Sequence, residues 1–241
     1  MSHWLTPDWP APANVRACVT TRAGGVSVEP FDSFNLGDHV GDEPAAVAEN
    51  RRRLTVGLGC QPAWLSQVHG IEVVEADPSA VATADASWSA TPGVACTIMT
   101  ADCLPALFCD RAGTRVGAAH AGWRGLAGGV LEATVDAMGI APAELLVWLG
   151  PSIGPRAFEV GSEVREAFML EHAEAARAFV PSANAGKYMA DIYELARIRL
   201  AAKGVTAVYG GDFCTFTDTG RFYSYRRSSR TGRLASLIWL A

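Results

Sequence analysis

Residues 94–125 read VACTIMTADCLPALFCDRAGTRVGAAHAGWRG and contain three short apolar runs, Val94–Thr100, Pro105–Cys109 and Val116–His120. Each run is rich in β-branched, aromatic or small apolar residues and is bounded by Gly, Pro or Asp, which is the pattern of a buried strand. Asp102 and Cys103 follow the first run, and His120 ends the third. This stretch therefore predicts neighbouring strands whose ends carry reactive side chains.

Further strand-like runs and several helical patterns lie on both sides of this stretch. The strand candidates are Val15–Thr21, Ala63–Val68, Ile71–Val74, Leu145–Leu149 and Leu234–Leu240. Apolar spacing and end signals predict helices over Pro44–Leu58, from Gly125 to Met138, over Ser162–Phe179 and over Asp191–Ala202. Because the strands and helices do not alternate regularly, we expect an α/β fold with mixed sheets and not a doubly wound one.

The composition narrows the class of protein. Of the 241 residues, 49% are hydrophobic and 19% are charged, which excludes a disordered chain. Since no Pro- or Ser-rich linker divides the sequence, one domain over residues 1–241 is expected. The net charge is −5 and no long basic run occurs, so a nucleic-acid partner is not expected.

The sequence shows neither a membrane span nor a secretory signal. No run of about 18 apolar residues occurs, and residues 1–8 have neither a basic start nor an apolar run. The six cysteines stand singly, with no Cys-x-x-Cys pair, as expected of free thiols in a reducing compartment. We therefore expect a cytoplasmic protein without a membrane partner, and the size of the chain favours a monomer.

Three predicted strand ends carry side chains that can bind a metal: His69, Cys103 and His120. Two imidazoles and one thiolate suit zinc, and three protein ligands leave the open position typical of a catalytic site. The spacing alone permits both a joint site and separate packing roles for these residues. The remaining histidines, His3, His39 and His172, fit such a site less well.

Two other interpretations of these residues remain open. Cys103 can act as a nucleophile with His120 or His69 as its base, which needs no metal and makes the protein a hydrolase or amidase. A copper-dependent polyphenol oxidase, or laccase, is the weaker alternative. Such an oxidase needs His-x-His pairs and more histidines than the five in this chain.

Several polar side chains near these segments are candidates for binding a substrate. The guanidinium groups of Arg22, Arg51 and Arg124 are suited to a phosphate group, although salt-bridged surface roles explain single arginines equally well. Asn35 and Gln67 can hydrogen-bond a sugar or a base, or serve as turn residues.

The aromatic and basic residues 221–227, RFYSYRR, are a further candidate. They can line a base-stacking pocket or form an edge strand with solvated arginines, and the sequence favours neither.

The chain resembles the YfiH family, whose animal relatives are called laccase-domain proteins, over essentially its whole length. The shared motifs are Thr21–Ser27, Ser33–Gly37, Gly41 with Asp42, Asn50 with Arg51, Gln67–Gly70, Ala101–Cys103, His120–Gly125, Gly150–Ile153, Glu159 with Val160, Cys214 with Thr215, Phe222–Arg227 and Thr231–Arg233. Phe34 stands where leucine is more usual. The resemblance implies a layered α-β-β-α sandwich and a zinc ion, in preference to copper, on His69, Cys103 and His120.

The resemblance also implies an activity. Members of the family phosphorolyse adenosine, inosine, guanosine and methylthioadenosine to the base and a pentose 1-phosphate, and they deaminate adenosine. Purine nucleosides and phosphate are therefore the expected partners. The residues expected to take part are His69, Cys103, His120 and Arg51 in catalysis, and Arg22, Asn35, Gln67 and Arg124 in substrate binding.

Overall fold

The computed structural model describes residues 4–241, so His3 lies outside the described residues. Its strands are β1 (Val15–Val19), β2 (Gln61–Ala63), β3 (Leu65–Ser66), β4 (Val73–Glu75), β5 (Ala82–Thr83), β6 (Ala86–Ser89), β7 (Val94–Thr100), β8 (Leu104–Asp110), β9 (Val116–Ala121), β10 (Leu145–Leu149), β11 (Glu159–Gly161), β12 (Phe179–Pro181), β13 (Lys187–Ala190), β14 (Ala207–Gly210) and β15 (Leu234–Leu240). Its α-helices are α1 (Pro44–Leu58), α2 (Trp123–Gly128), α3 (Val130–Met138), α4 (Ser162–Glu171) and α5 (Ile192–Ala202).

Two mixed sheets form the centre of the fold. The larger has the strand order β14-β10-β8-β9-β6-β4, and the smaller has the order β1-β15-β7-β2. In the larger sheet β8 pairs antiparallel with β9, whereas β10 pairs parallel with β14. In the smaller sheet β7 pairs antiparallel with β15 and parallel with β2. The predicted α/β class with mixed sheets is therefore confirmed.

Strand β8 shows how the layers pack, since it is buried along its whole length. Successive side chains of a strand point to opposite faces. Leu107 and Cys109 thus pack with β7 and β15 of the smaller sheet, while Ala106 and Phe108 join the core under α3 and α5. Because both faces of β8 are buried, its sequence is a continuous apolar run, and this run predicts the strand.

The outer face of the smaller sheet is covered by helix α1. Leu54 of this helix packs with Ala235 and Leu237 of β15 and with Leu36 from the preceding loop. Helices α3 and α5 cover the opposite face of the larger sheet. The order of layers is helix, sheet, sheet, helix, as expected.

Most predicted elements are confirmed, and the departures have local causes. The helix predicted from Gly125 to Met138 is two helices, because Gly129 adopts a φ of 103°, the left-handed conformation that ends α2. The helix predicted over Ser162–Phe179 is wrong beyond Glu171. The chain continues there as a 3-10 segment, Ala173–Ala178, and Phe179 begins strand β12.

Two other predictions differ from the structure. The run Ala63–Val68 is not one strand: β2 joins the smaller sheet, and β3 pairs with β5 in a separate two-stranded sheet. Residues 221–227 form turns and irregular backbone, and not an edge strand. Both regions lie beside the site described below.

Among residues 4–241, no helix has both the length and the apolar character needed to cross a membrane. The cytoplasmic location, the single domain, the monomeric state and the lack of a nucleic-acid partner stay predictions.

Candidate metal centre and its cavity

His69, Cys103 and His120 come together in the structure. Their ligand atoms all lie within 4.8 Å of one another, and Cys103 Sγ is 3.7 Å from His69 Nε2. In a tetrahedral zinc site, ligand bonds of about 2.0–2.3 Å place a nitrogen and a sulfur about 3.6 Å apart. Both the donor set and the spacing therefore fit a metal ion bound by these three side chains.

The larger sheet places these ligands. Cys103 directly precedes β8, and His120 is near the end of β9, which pairs with β8 so that Leu104 lies opposite Ala121. His69 lies in the loop that leads into β4, at the edge of the same sheet. Cys103 and His120 thus lie at strand ends, whereas His69 lies in a loop between β3 and β4 and not at the end of the predicted strand Ala63–Val68.

The carboxylate of Asp85 organises both histidines. It is fully buried, and its Oδ1 lies 2.7 Å from His120 Nδ1. It also accepts hydrogen bonds from the backbone N–H groups of Val68, His69 and Gly70. A His120 that donates from Nδ1 to Asp85 keeps Nε2 free for a metal. The Asp85 carboxylate thus fixes the His120 ring and the loop that carries the His69 ring.

No motif or spacing in the sequence singles out Asp85. The available signal is a lone acidic residue between Ala84 and Ala86 in a segment of small side chains. An ionised group that is buried must be paired or hydrogen-bonded.

Backbone strain is concentrated at the ligands. Among residues 4–241, His69 and Asp102 are the only non-glycine residues with positive φ, at 61° and 89°. Such conformations cost about 1–3 kcal/mol each and persist where the surroundings hold them. Asp85 holds the first, and the Asp102 carboxylate accepts hydrogen bonds from Thr215 Oγ1, Ser224 Oγ and the Arg226 N–H.

Close packing explains the glycine at position 122. A Cβ atom there would lie 2.7 Å from His69 Cδ2 and 3.1 Å from Cys103 Sγ. Any side chain at this position would displace two ligands, so the segment from His120 to Gly125 requires glycine for a steric reason.

The cluster favours an ionised thiol. Burial opposes the Cys103 thiolate, but the charge and hydrogen bond of His120, together with His69, lower the pKa of Cys103 to about 6. Burial likewise opposes a charged His120, yet Cys103 and Asp85 raise its pKa to about 9. Without a metal the pair is a thiolate and an imidazolium at neutral pH. A thiolate is the form that binds metals or attacks a substrate.

The cluster lies in the wall of a cavity of about 520 Å³. Aromatic and basic side chains line much of the remaining wall, namely Trp123, Phe158, Tyr225, Arg124, Arg226 and Arg233. Tyr225 and Arg226 come from the RFYSYRR segment, so the pocket interpretation of that segment agrees with its position. His39, which the sequence favours less as a site residue, also lines the cavity.

Of the residues predicted to contact a substrate, Gln67 and Arg124 line the cavity. The Gln67 amide donates to the carbonyl of Met99 and accepts from its N–H, both at 2.8 Å. Its polar atoms therefore position the end of β7. The Arg124 guanidinium is exposed and lies over the ring of Trp123, 4.5 Å from its centroid.

The cavity wall does not include Arg22, Asn35 or Arg51. Other groups of the protein bind the polar atoms of these side chains. Arg22 pairs with Asp32 at 2.9 Å. Arg51 pairs with Asp38 at 3.2 Å and donates to the Leu36 carbonyl, although its Nη2 lies 3.7 Å from Sδ of the cavity residue Met99. Asn35 is fully buried and bonds neighbouring backbone. The catalytic role expected of Arg51 and the substrate-binding roles expected of Arg22 and Asn35 stay predictions.

The sequence profile of the family described as "Multi-copper polyphenol oxidoreductase laccase" matches residues 16–241. The chain is 78% identical to a protein of Pseudomonas aeruginosa named purine nucleoside phosphorylase, over 100% of this chain and 99% of that one. It is 57% identical to the purine nucleoside phosphorylase YfiH of Escherichia coli, over the full length of both. The chain belongs to the YfiH family.

Solved structures of YfiH-family proteins have the same fold. A Neisseria meningitidis protein superposes with a TM-score of 0.97 at 54% identity, over 99% of both chains. YlmD of Geobacillus stearothermophilus superposes with a TM-score of 0.93 at 33% identity, over 99% of this chain and 96% of that one. The family resemblance and the layered fold are thereby confirmed.

Asp85→Asn should weaken metal binding in this YfiH-family chain. The amide cannot accept from His120 and from three backbone N–H groups at once, so both rings lose their orientation. Loss of such an orienting carboxylate costs about 10- to 100-fold in metal affinity. Competition with a chromophoric chelator measures the affinity. Asp77→Asn is the control, since Asp77 is exposed and bonds only Ser79. Equal affinities in all three proteins would contradict the role of Asp85.

Cys103 should react with iodoacetamide in metal-free protein at unusually low pH. Because the thiolate is the reactive form, alkylation should rise through pH 6 and level off, as its pKa of about 6 requires. Burial raises the pKa of Cys18, Cys96 and Cys109 to about 12, so they should stay unmodified. Peptide mapping by mass spectrometry separates the sites. A Cys103 rate that keeps climbing to pH 9 would show that the histidines do not stabilise the thiolate.

Proposed function

We propose that this chain is a zinc-dependent purine nucleoside phosphorylase that also deaminates adenosine. Its substrates would be adenosine, inosine, guanosine and methylthioadenosine, each cleaved by phosphate to the base and a pentose 1-phosphate. The observation that carries the proposal is the convergence of His69, Cys103 and His120 in the wall of an aromatic and basic cavity. The names of the Pseudomonas and Escherichia relatives support the purine nucleoside phosphorylase part of this proposal.

Zinc is proposed as the ion because two imidazoles and one thiolate are donors that it favours, with copper as the less favoured choice. When bound, such an ion supplies a Lewis acid with an open coordination position. The chain's own contribution is to hold His120 in one tautomer through Asp85 and to keep Cys103 ionised.

The cavity suits a purine nucleoside together with a small anion. Its volume of about 520 Å³ is within the usual range of small-molecule sites. The rings of Trp123, Phe158 and Tyr225 offer apolar faces against which a purine can pack. Holding both reactants in one cavity removes much of the entropic cost of bringing them together.

The two reactions differ in the group that attacks. In phosphorolysis a phosphate oxygen bonds the anomeric carbon, the glycosidic bond breaks, and its electron pair leaves with the purine, which takes up a proton. In deamination water adds at C6 of adenosine and ammonia leaves. Both reactions develop charge on the purine, and fixed donors and cations in a cavity stabilise such charge.

A metal-free hydrolase is the second candidate, and the site geometry gives it specific support. Cys103 Sγ lies 3.7 Å from His69 Nε2 and within 4.8 Å of a ring nitrogen of His120, which Asp85 orients, so a nucleophile, a base and an orienting carboxylate lie side by side. For a multi-copper oxidase the support is weaker. Within residues 4–241, the His69–Cys103–His120 cluster is the only group of three or more His, Cys, Asp or Glu side chains placed to hold a metal.

Cys103→Ala should remove the metal and the phosphorolysis together. Metal content should fall from about one ion per chain, because two imidazoles alone bind zinc weakly. The rate of phosphate-dependent adenine release should fall by about 10³-fold or more, since the metal contributes several kcal/mol to the barrier. Cys214→Ala is the matched control, because Cys214 is a half-buried free thiol outside the cavity wall.

Chromatography of adenine, inosine, hypoxanthine and ribose 1-phosphate, with and without phosphate, identifies the reaction. Inosine formed without phosphate would support the deaminase. Full phosphorolysis by metal-free Cys103→Ala protein would contradict the proposal. Turnover that iodoacetamide abolishes and chelators leave intact would favour the hydrolase instead.

A further inference from the structure

The cavity wall has an excess of positive charge. Arg124, Arg226 and Arg233 line it, and within the described part of the chain none of them forms an ion pair. Asp102 also lines the wall, but its carboxylate oxygens accept from Thr215, Ser224 and the Arg226 N–H. Three guanidinium groups thus face a space in which Asp102 is the one lining carboxylate among the described residues, and the acceptor positions of that carboxylate are already occupied.

Arg233 is the most enclosed of these three. Arg124 and Arg226 are exposed, whereas Arg233 is partly buried, and this burial lowers its pKa. Only its Nη1 donates within the protein, to the carbonyls of Thr231 and Gly232. Within residues 4–241, its Nε and Nη2 have no hydrogen-bond acceptor. A cation held partly out of water with free donors is stabilised by an anion that enters the cavity.

The Ser33–Gly37 segment packs against Arg233 and bonds its backbone. Asn35 Oδ1 accepts hydrogen bonds from the backbone N–H groups of Arg233, at 2.8 Å, and of Gly37, at 2.9 Å. A Cβ atom on Gly37 would lie only 2.7 Å from Arg233 Cγ. The amide of Asn35 therefore anchors the Arg233 backbone, and the missing side chain at position 37 leaves room for the arginine stem.

Arg226 is placed beside the metal ligands by the same carboxylate that precedes Cys103. Its backbone N–H donates to Asp102 Oδ2 at 2.6 Å, and its Nη1 donates to the Glu159 carbonyl at 2.9 Å. Its remaining guanidinium donors are available at the cavity wall, so a second cation accompanies Arg233.

Two of the three arginines that the sequence offers for phosphate are already ion-paired, unlike Arg233. Arg51 is paired with Asp38, and Arg22 is paired with Asp32. Recruiting either for an anion would first require breaking an existing ion pair, and neither lines the cavity.

We propose that Arg233, assisted by Arg226, is the binding site for the inorganic phosphate co-substrate. This inference rests on the proposed phosphorylase function and specifies which residues bind its second substrate. A guanidinium matches two oxygens of a tetrahedral oxyanion through parallel hydrogen bonds. A phosphate ester of a nucleotide has the same chemistry, so both sources must be tested.

The test measures binding of inorganic phosphate to the metal-loaded protein by calorimetry, with no turnover required. Arg233→Gln should raise the phosphate Kd about 10- to 100-fold, the effect of losing charge-assisted hydrogen bonds. Arg233→Lys should recover part of the affinity. In steady-state kinetics Arg233→Gln should raise the KM for phosphate and leave the KM for the nucleoside nearly unchanged. Arg230→Gln, an exposed arginine off the cavity wall, is the matched control.

Gly37→Ala is a second, independent variant. It keeps the charge of Arg233 but pushes its stem aside, so it should weaken phosphate binding in the same direction. Circular dichroism confirms that each variant is folded.

Two results would overturn the inference. One is an unchanged phosphate Kd in Arg233→Gln while Arg51→Gln raises it. The other is Arg233-dependent binding of adenosine 5′-monophosphate without any effect on inorganic phosphate. Failure of the phosphorylase proposal looks different, because wild-type protein would then bind phosphate through Arg233 and release no purine.

Discussion

The hydrogen bond between Asp85 and His120 is the interaction on which the site depends. A fully buried carboxylate is costly unless it is bonded, and here four donors satisfy it: one imidazole and three consecutive backbone N–H groups. The Asp85 carbonyl also accepts from the His120 N–H, so the β-sheet itself holds the two residues together. The Asp85 carboxylate thereby sets the position of His120 and the conformation of the loop that carries His69.

A second carboxylate does the same for the opposite side of the cavity. Asp102 adopts a positive φ immediately before Cys103 and bonds Thr215, Ser224 and Arg226 from the C-terminal loops. The metal ligand is thus tied to the segment that supplies Tyr225 and Arg226 to the wall. These hydrogen bonds offset the backbone strain at His69 and Asp102. The carboxylates of Asp85 and Asp102 that accept them therefore also hold the strained conformations in place.

The features that could be predicted from the sequence are those with a local signal. Buried strands such as β7, β8 and β10 are apolar runs in the sequence, and Cys103 and His120 stand out as candidate ligands because each follows or ends such a run. Asp85 and Arg233 had no such signal, since their roles come from contacts with residues 15 to 198 positions away. The pairing of β3 with β5 depends likewise on contacts between segments distant in sequence, whereas the break at Gly129 has a local cause. The sequence offers Arg22 and Arg51 because a guanidinium group suits phosphate, but their ion-pair partners Asp32 and Asp38 become visible only in the fold.

We propose that His69, Cys103 and His120 bind one metal ion in the wall of a cavity that accepts a nucleoside and phosphate. Anomalous diffraction at the zinc absorption edge, from crystals of protein purified without added metal, tests it most directly. We expect one anomalous peak per chain, about 2.0–2.3 Å from His69 Nε2, Cys103 Sγ and His120 Nε2. A fully occupied peak that lacks any one of these three ligands would contradict this metal site. So would the absence of a peak, with the Cys103 thiol and the two imidazoles hydrogen-bonded to one another.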